Sequence, residues 1–193
     1  MFDLLRTHIL KRIELTDEEF TRCTSFFTPK KVRKGQFLSQ EGEICKSITF
    51  VTKGCLRCYT IDDKGEEHVV QFAIEDWWIS DLNSFLTGEP AIYNIDALED
   101  SEVLMLDRSS RDELLTIIPK FERFFRVLLE KNYIATHRRI VCSLMASAEA
   151  RYLSFITMYP ALVQRVPQHQ IASFLGIAPE SLSRIRKHLT DKS

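Results

Sequence analysis

No stretch of this sequence is apolar for anything near the roughly 20 residues that cross a bilayer, which argues against a membrane-spanning chain. A P-loop and a Gly-rich dinucleotide fingerprint are both missing. So is any Ser-His-Asp or Cys-His ordering with supporting context, and no enzyme is expected. The five cysteines, at 23, 45, 55, 58 and 142, are odd in number and scattered, which is the usage of reduced thiols rather than of a disulfide framework. The opening Met1-Phe2-Asp3-Leu4-Leu5-Arg6 sets an acid where a signal peptide carries its basic region, so a cytoplasmic protein is expected. Repeats and low-complexity tracts are also missing, which excludes a solenoid and a disordered tail.

Net charge is scarce too, at −1 over 193 residues, and taken alone it argues against a nucleic-acid binder. The average conceals a division: residues 1–107 carry a net −8 and residues 108–193 a net +7. An acidic module joined to a basic one implies that the basic end faces a polyanion. Uneven division of charge between two ordinary domains is the plainer alternative.

What is present changes character along the chain. From about Pro29 to Asp107 the text is strand-like: Ser47–Val51, Leu56–Ile61, His68–Phe72 and Glu102–Leu106 are β-branched or aromatic runs. Lys53-Gly54 and Asp62-Asp63-Lys64-Gly65 fall between them as tight turns. Many short strands with such punctuation predict an all-β sandwich or barrel. Helical spacing takes over from Ser109, first in a short helix to Ile118. A long helix from about Lys120 to Ala146 follows, opened by Pro119. Along it Phe121, Phe125, Leu128, Asn132, Ala135, Arg139 and Cys142 follow a 4-3 heptad spacing, as a two-chain coil with Asn132 fixing register would use. Packing on the chain's own β domain explains the first half equally well. Ser147 caps a further helix that ends at Pro160.

The last thirty residues have helix-turn-helix grammar. Pro167 opens a first helix in which Ala172 permits a close crossing, Gly176 redirects the chain, and Pro179 starts a second helix. Leu182, Ile185 and Leu189 give that helix an inward face, while Glu180, Ser181, Arg184, Lys187 and His188 occupy the rest. Glu180 and Arg184, four apart, share one side. Glutamate accepts from cytosine N4 and arginine donates twice to guanine, which is the chemistry of major-groove reading. Ser181, Ser183 and Lys187, with Gln168 on the first helix, suit DNA contacts that position the protein. A plain helical hairpin with a solvated charged face is the competing reading.

Taken in order, these parts resemble the Crp/Fnr family of bacterial transcription regulators. Lys34-Gly35-Gln36-Phe37-Leu38, Glu41-Gly42-Glu43 and Val51-Thr52-Lys53-Gly54 look like that family's β-roll turns. Glu180-Ser181-Leu182-Ser183-Arg184 is similar to its recognition-helix phrase, with Pro179 replacing the preceding arginine. The resemblance implies an α+β protein of two domains. Its sensor would span 1–118, with a jelly-roll-like double-stranded β-roll over about 29–107. The family's β-hairpin before the helix-turn-helix is one departure, since Pro160 to Val166 is too short to supply it. A dimerisation helix at 119–146, using Phe121, Phe125, Leu128, Asn132 and Ala135, and a helix-turn-helix domain at 147–193 would follow. It further implies a homodimer on an inverted-repeat site in double-stranded DNA, with RNA polymerase as a partner of an activator. A small-molecule-binding signalling module whose C-terminal helices bind protein is the alternative.

The family's cyclic-nucleotide cassette is where the resemblance thins. Its arginine and serine fall on Ala91 and Ile92, and no arginine or lysine occurs between Gly65 and Asp107. A buried phosphate would lack its charge-assisted partner, so no cyclic nucleotide is expected. Cys23 stands alone, unlike the grouped cysteines of cluster-bearing members, and Cys55 and Cys58 point to opposite faces of a strand, so no metal is expected. Trp78, Asp81, Tyr93 and Asn94, with Thr136 and His137 from the long helix, remain as candidate residues for an unknown effector. Aromatic filling of the roll without any effector is equally consistent.

Overall fold

The computed structural model describes residues 1–190. Helices α1 (Phe2–Leu10) and α2 (Asp17–Thr24) lead into β1 (Thr28–Val32), β2 (Phe37–Ser39), β3 (Ser47–Lys53), β4 (Leu56–Ile61), β5 (Glu67–Ala73) and β6 (Trp78–Ile79). Helix α3 (Leu82–Thr87) precedes β7 (Asn94–Ala97) and β8 (Ser101–Asp107). The rest is helical: α4 (Arg108–Ile117), α5 (Lys120–Met145), α6 (Ala148–Met158), α7 (Pro160–Val163), α8 (Gln168–Leu175) and α9 (Pro179–Thr190).

Local chemistry accounts for most of these boundaries. Thr16 and Glu19 form a reciprocal capping box at the start of α2, while Asp107 and Ser147 accept from backbone N–H groups three residues on. Gly54 turns β3 into β4 at φ +100°, and a Cβ there would sit 2.1 Å from the Ser101 hydroxyl oxygen, so only glycine fits. Two proline readings need correction. Pro160 does end α6 but immediately opens the single turn of α7, as proline does at a first helical position. Pro167 is the residue before α8, extended at ψ 142°, rather than its first member.

The strands form two four-stranded sheets, ordered β1-β8-β3-β6 and β2-β7-β4-β5, the double-stranded roll that the turns predict. Two compact units result: Met1–Thr60 with Gln71–Lys131, and Ile61–Val70 with the chain from Asn132 onward. The division therefore falls inside α5, and the tip of the β4–β5 hairpin belongs to the second unit. In the first unit Leu5, Ile9, Phe50, Leu104, Leu106, Phe121 and Phe124 are fully buried in one cluster. Each such side chain stabilises the fold by about 1.5–3 kcal/mol relative to exposure. Burial pushes the Cys23 thiol up to about 12, so it is an inert core group. The second unit closes around Tyr152, Phe155, Leu162, Val166, Ile171, Ala172 and Leu182.

One polar group is built into the first core. His8, on α1, is 3% exposed, with Nδ1 2.7 Å from Asp76 Oδ1, and its Nε2 accepts from Trp78 Nε1–H at 3.1 Å. The indole can only donate, so the ring is neutral with its proton on Nδ1. Burial is the largest influence and holds His8 below its ordinary 6.5 despite the pull of Asp76. Burial alone would raise Asp76, but its bonds to Lys11 and His8 prevail and keep it below its usual range. The unfolded chain therefore takes up a proton near pH 6.5 that the folded one refuses, and stability falls as pH drops below that value. The thermal midpoint should be level from pH 6.5 to about 8, short of the thiol range, and decline below 6.5. His8→Gln, which keeps a donor and an acceptor but does not titrate, should flatten the upper part of that decline. An unchanged slope in the variant would assign the loss to other groups.

Candidate nucleic-acid interface and sensor roll

In the second unit α8 and α9 are joined by Gly176, left-handed at φ 62°, with Ala172 and Leu182 buried between the helices. Arg151 of α6 donates to the Leu175 carbonyl at 2.7 Å and reaches that of Gly176 at 3.3 Å, which pins the turn from behind. Leu182 packs inward completely, and Ile185 and Leu189 are half-buried. On the outward face Glu180, Ser183, Arg184 and Lys187 are exposed, and Ser181 is half-buried. The Arg184 guanidinium rests loosely on its own helix, 3.4 Å from the Glu180 carbonyl and 3.5 Å from the Ser181 hydroxyl. Its fork is free to turn outward toward base edges. Gln168 stands apart from this face, half-buried at the start of α8, with its side-chain oxygen unpaired.

The same unit ties the hairpin tip to the helices. The Ser173 hydroxyl of α8 donates to the Glu67 carbonyl at 2.7 Å and accepts from the Val69 N–H at 2.9 Å. Arg139 of α5 donates to the Val70 carbonyl at 2.6 Å and lies over the Phe174 ring, 4.9 Å from its centroid. At the tip Asp62, Glu66 and His68 stand close enough together to hold a cation. All three are exposed, and Asp62 is already engaged by the Lys64 and Glu66 N–H groups and by His68.

In the roll the structure revises the candidate effector residues. Asp81 is 1% exposed and serves as the N-cap of α3, its carboxylate accepting from the N–H groups of Ser84 at 3.0 Å, Ile92 at 2.9 Å and Tyr93 at 3.3 Å. It is a structural brace with no oxygen left over for an effector. Ala91 is buried, whereas Ile92 is 53% exposed. Asn94 is buried and accepts from the Glu41 N–H. Trp78 belongs to the His8 cluster, with Phe50, Phe124 and Phe125 rings around it, and not to a ligand pocket. Thr136 and His137 lie exposed on the second unit, Thr136 bonding to Asn132 and His137 stacking on Tyr133.

A cation does stand in the roll, supplied from outside the 65–107 segment. Arg57, supplied by β4, pairs in register with Asp96 of β7. Its Nε and Nη2 donate to the two carboxylate oxygens at 2.8 and 3.0 Å, and its guanidinium lies 4.0 Å from the Tyr59 ring centroid. Both side chains are about nine-tenths buried, at 8% and 10% exposure. The charge is thus already neutralised from within.

The chain's own core claims the start of the heptad seam on α5. Phe121 is fully buried in the first unit's own core, and Phe125 and Leu128 are packed against it. Asn132 and Ala135 continue that side of the helix, as does Arg139, already bound to the hairpin. About half a turn away runs an exposed apolar stripe: Tyr133, Ile134, Ile140, Val141, Leu144 and Met145 are 40–83% exposed. Helix α5 is apolar on two sides, and only tertiary packing shows which side its own domain consumes.

Comparison with known proteins agrees with this architecture. A family model described as a cyclic nucleotide-binding domain matches residues 29–117. The chain is 25% identical over 189 residues to the regulatory protein HlyX of Actinobacillus pleuropneumoniae, covering 89% of this chain and 75% of that one. It is 23% identical over 169 residues to the transcriptional activator protein FnrA of Stutzerimonas stutzeri, covering 81% and 68%. Among solved structures, FixK2 from Bradyrhizobium japonicum superposes with a TM-score of 0.75 at 17% identity, covering 86% of this chain and 85% of that one. The catabolite activator protein of Thermus thermophilus gives 0.58 at 21% identity, covering 92% and 85%. These likenesses extend through the roll, the long helix and the C-terminal helices.

Proposed function

The chain belongs to the Crp/Fnr family of DNA-binding transcription regulators, and on that premise we propose that it acts as a homodimer reading an inverted-repeat site through α9. Its relatives are named as regulators rather than enzymes. The observation that carries the reading is the outward face of α9, where Glu180 and Arg184 stand together and exposed beyond a packed Leu182. In a twofold dimer two such helices enter successive major grooves, with half-sites one helical turn, roughly 34 Å, apart. The exposed stripe on α5 supplies the dimer seam. No helix among the described residues is long and apolar enough to cross a membrane. The protein works in the cytoplasm, with RNA polymerase as its second partner where it activates.

Cyclic nucleotides are not its effectors in this reading. Asp81 accepts the N–H groups of Ser84, Ile92 and Tyr93, and Asp96 satisfies Arg57, so a phosphate entering the roll would meet no uncommitted donor among these groups. Selection from random duplexes, followed by titration of the selected site with and without cyclic AMP, tests both statements. Arg184→Ala should lose about 1–3 kcal/mol of discrimination per half-site while the fold and dimer persist. Failure to enrich any sequence removes the DNA-reading assignment, and a shift in site affinity on adding cyclic AMP removes the effector assignment.

A further inference from the structure

A cleft of about 150 Å³ lies beside the reading face of α9, lined by Gln168 and His169 from the start of α8 and by Pro179, Leu182, Ser183 and Arg186. Resting on the DNA-binding reading above, we propose that this cleft seats a backbone phosphate of the bound DNA, with Arg186 as its cation. Arg186 is therefore a DNA-binding residue distinct in kind from Arg184.

Helix geometry separates the two arginines. Two residues apart, they leave α9 about 200° from one another, so they cannot address the same base edges. Arg186 is one turn beyond Leu182, which is 1% exposed and faces α8, so Arg186 emerges on the flank next to that helix. A flank beside the first helix of such a motif faces the sugar-phosphate backbone when the outward face fills the groove.

The chemistry of the lining suits an oxyanion. No carboxylate lines the cleft, whereas Arg186, His169 and the Ser183 hydroxyl all offer donors. Arg186 is exposed and, among the described residues, no ion pair engages it. Its planar fork matches two phosphate oxygens at once, with geometry that an ammonium does not reproduce. Pro179 and the buried Leu182 give the cleft an apolar floor that keeps such a contact partly dry. A residue holding backbone in this way fixes the register of α9 on the duplex and carries no sequence information itself.

The test uses the full chain on its selected site and on a scrambled duplex, with affinity followed by fluorescence anisotropy across a salt series. Arg186→Ala should weaken both duplexes by the same factor. It should also reduce the slope of log affinity against log salt by about one per protomer. Arg186→Lys, which keeps the charge but loses the fork, should restore the slope and only part of the affinity. Arg184→Ala should instead erase the difference between duplexes with little change in slope. Both arginines are exposed, and an unchanged thermal midpoint verifies that each variant is folded. If Arg186→Ala changes neither affinity nor slope while Arg184→Ala still erases discrimination, the phosphate seat is refuted and the DNA-reading face stands. A loss confined to the selected site would make Arg186 a base reader and likewise overturn the proposal. No binding of either duplex by the unmodified protein would refute the reading beneath both.

Discussion

Asp96→Ala is expected to destabilise the protein by about 3–5 kcal/mol, the range for removing one partner of a buried ion pair. Against a typical stability of about 5–15 kcal/mol, that is enough to leave a large unfolded fraction. Arg57 would keep its charge with its side chain 8% exposed and lose both of its bonds to Asp96. The double variant Arg57→Met, Asp96→Leu should recover most of the loss, because it removes the charge together with its partner. Urea midpoints at unchanged m-value would measure both effects. A single-variant loss under about 1 kcal/mol, the scale of a surface pair, would show that water reaches the guanidinium.

The second large effect concerns assembly. Ile134→Glu together with Val141→Glu should convert the proposed homodimer into a folded monomer, because each glutamate would face the apolar stripe of a twofold mate. Operator affinity should then fall by about 10²–10⁴-fold, the gain that joining two half-site contacts provides. Sedimentation would give the mass and near-ultraviolet dichroism the fold. Asn132 is exposed but lies on the opposite side of α5, and Asn132→Glu should leave the dimer intact. If the double variant remains dimeric, the seam is not this stripe. Phe125 and Leu128 are poor probes of assembly, since they pack against the first unit's own core and their replacement would damage the fold.

The features legible in the sequence are those fixed within a few residues of themselves. Gly54 and Gly65 mark turns because the chain must run left-handed there, and Ser147 and Pro179 start helices by chemistry confined to one turn. The face of α9 follows from helical spacing alone. What escaped depends on contacts between distant strands or on which surface a domain consumes. Arg57 and Asp96 are 39 residues apart and meet only through the β4–β7 register. The side of α5 free for a partner was likewise not legible, because Phe121, Phe125 and Leu128 form as good a stripe as Ile134 and Val141. His8 and Trp78, 70 residues apart, gave no sign of sharing a bond.

Strand β5 ends its sheet, and an end strand presents a row of open donors and acceptors on which a second chain can add. Within the second unit the Ser173 hydroxyl stands where a neighbouring strand would meet Glu67 and Val69. A fragment cut after Met145 would retain Arg139 on Val70 but bare the Glu67 carbonyl and the Val69 amide, which makes the isolated roll the form most exposed to edge-to-edge association.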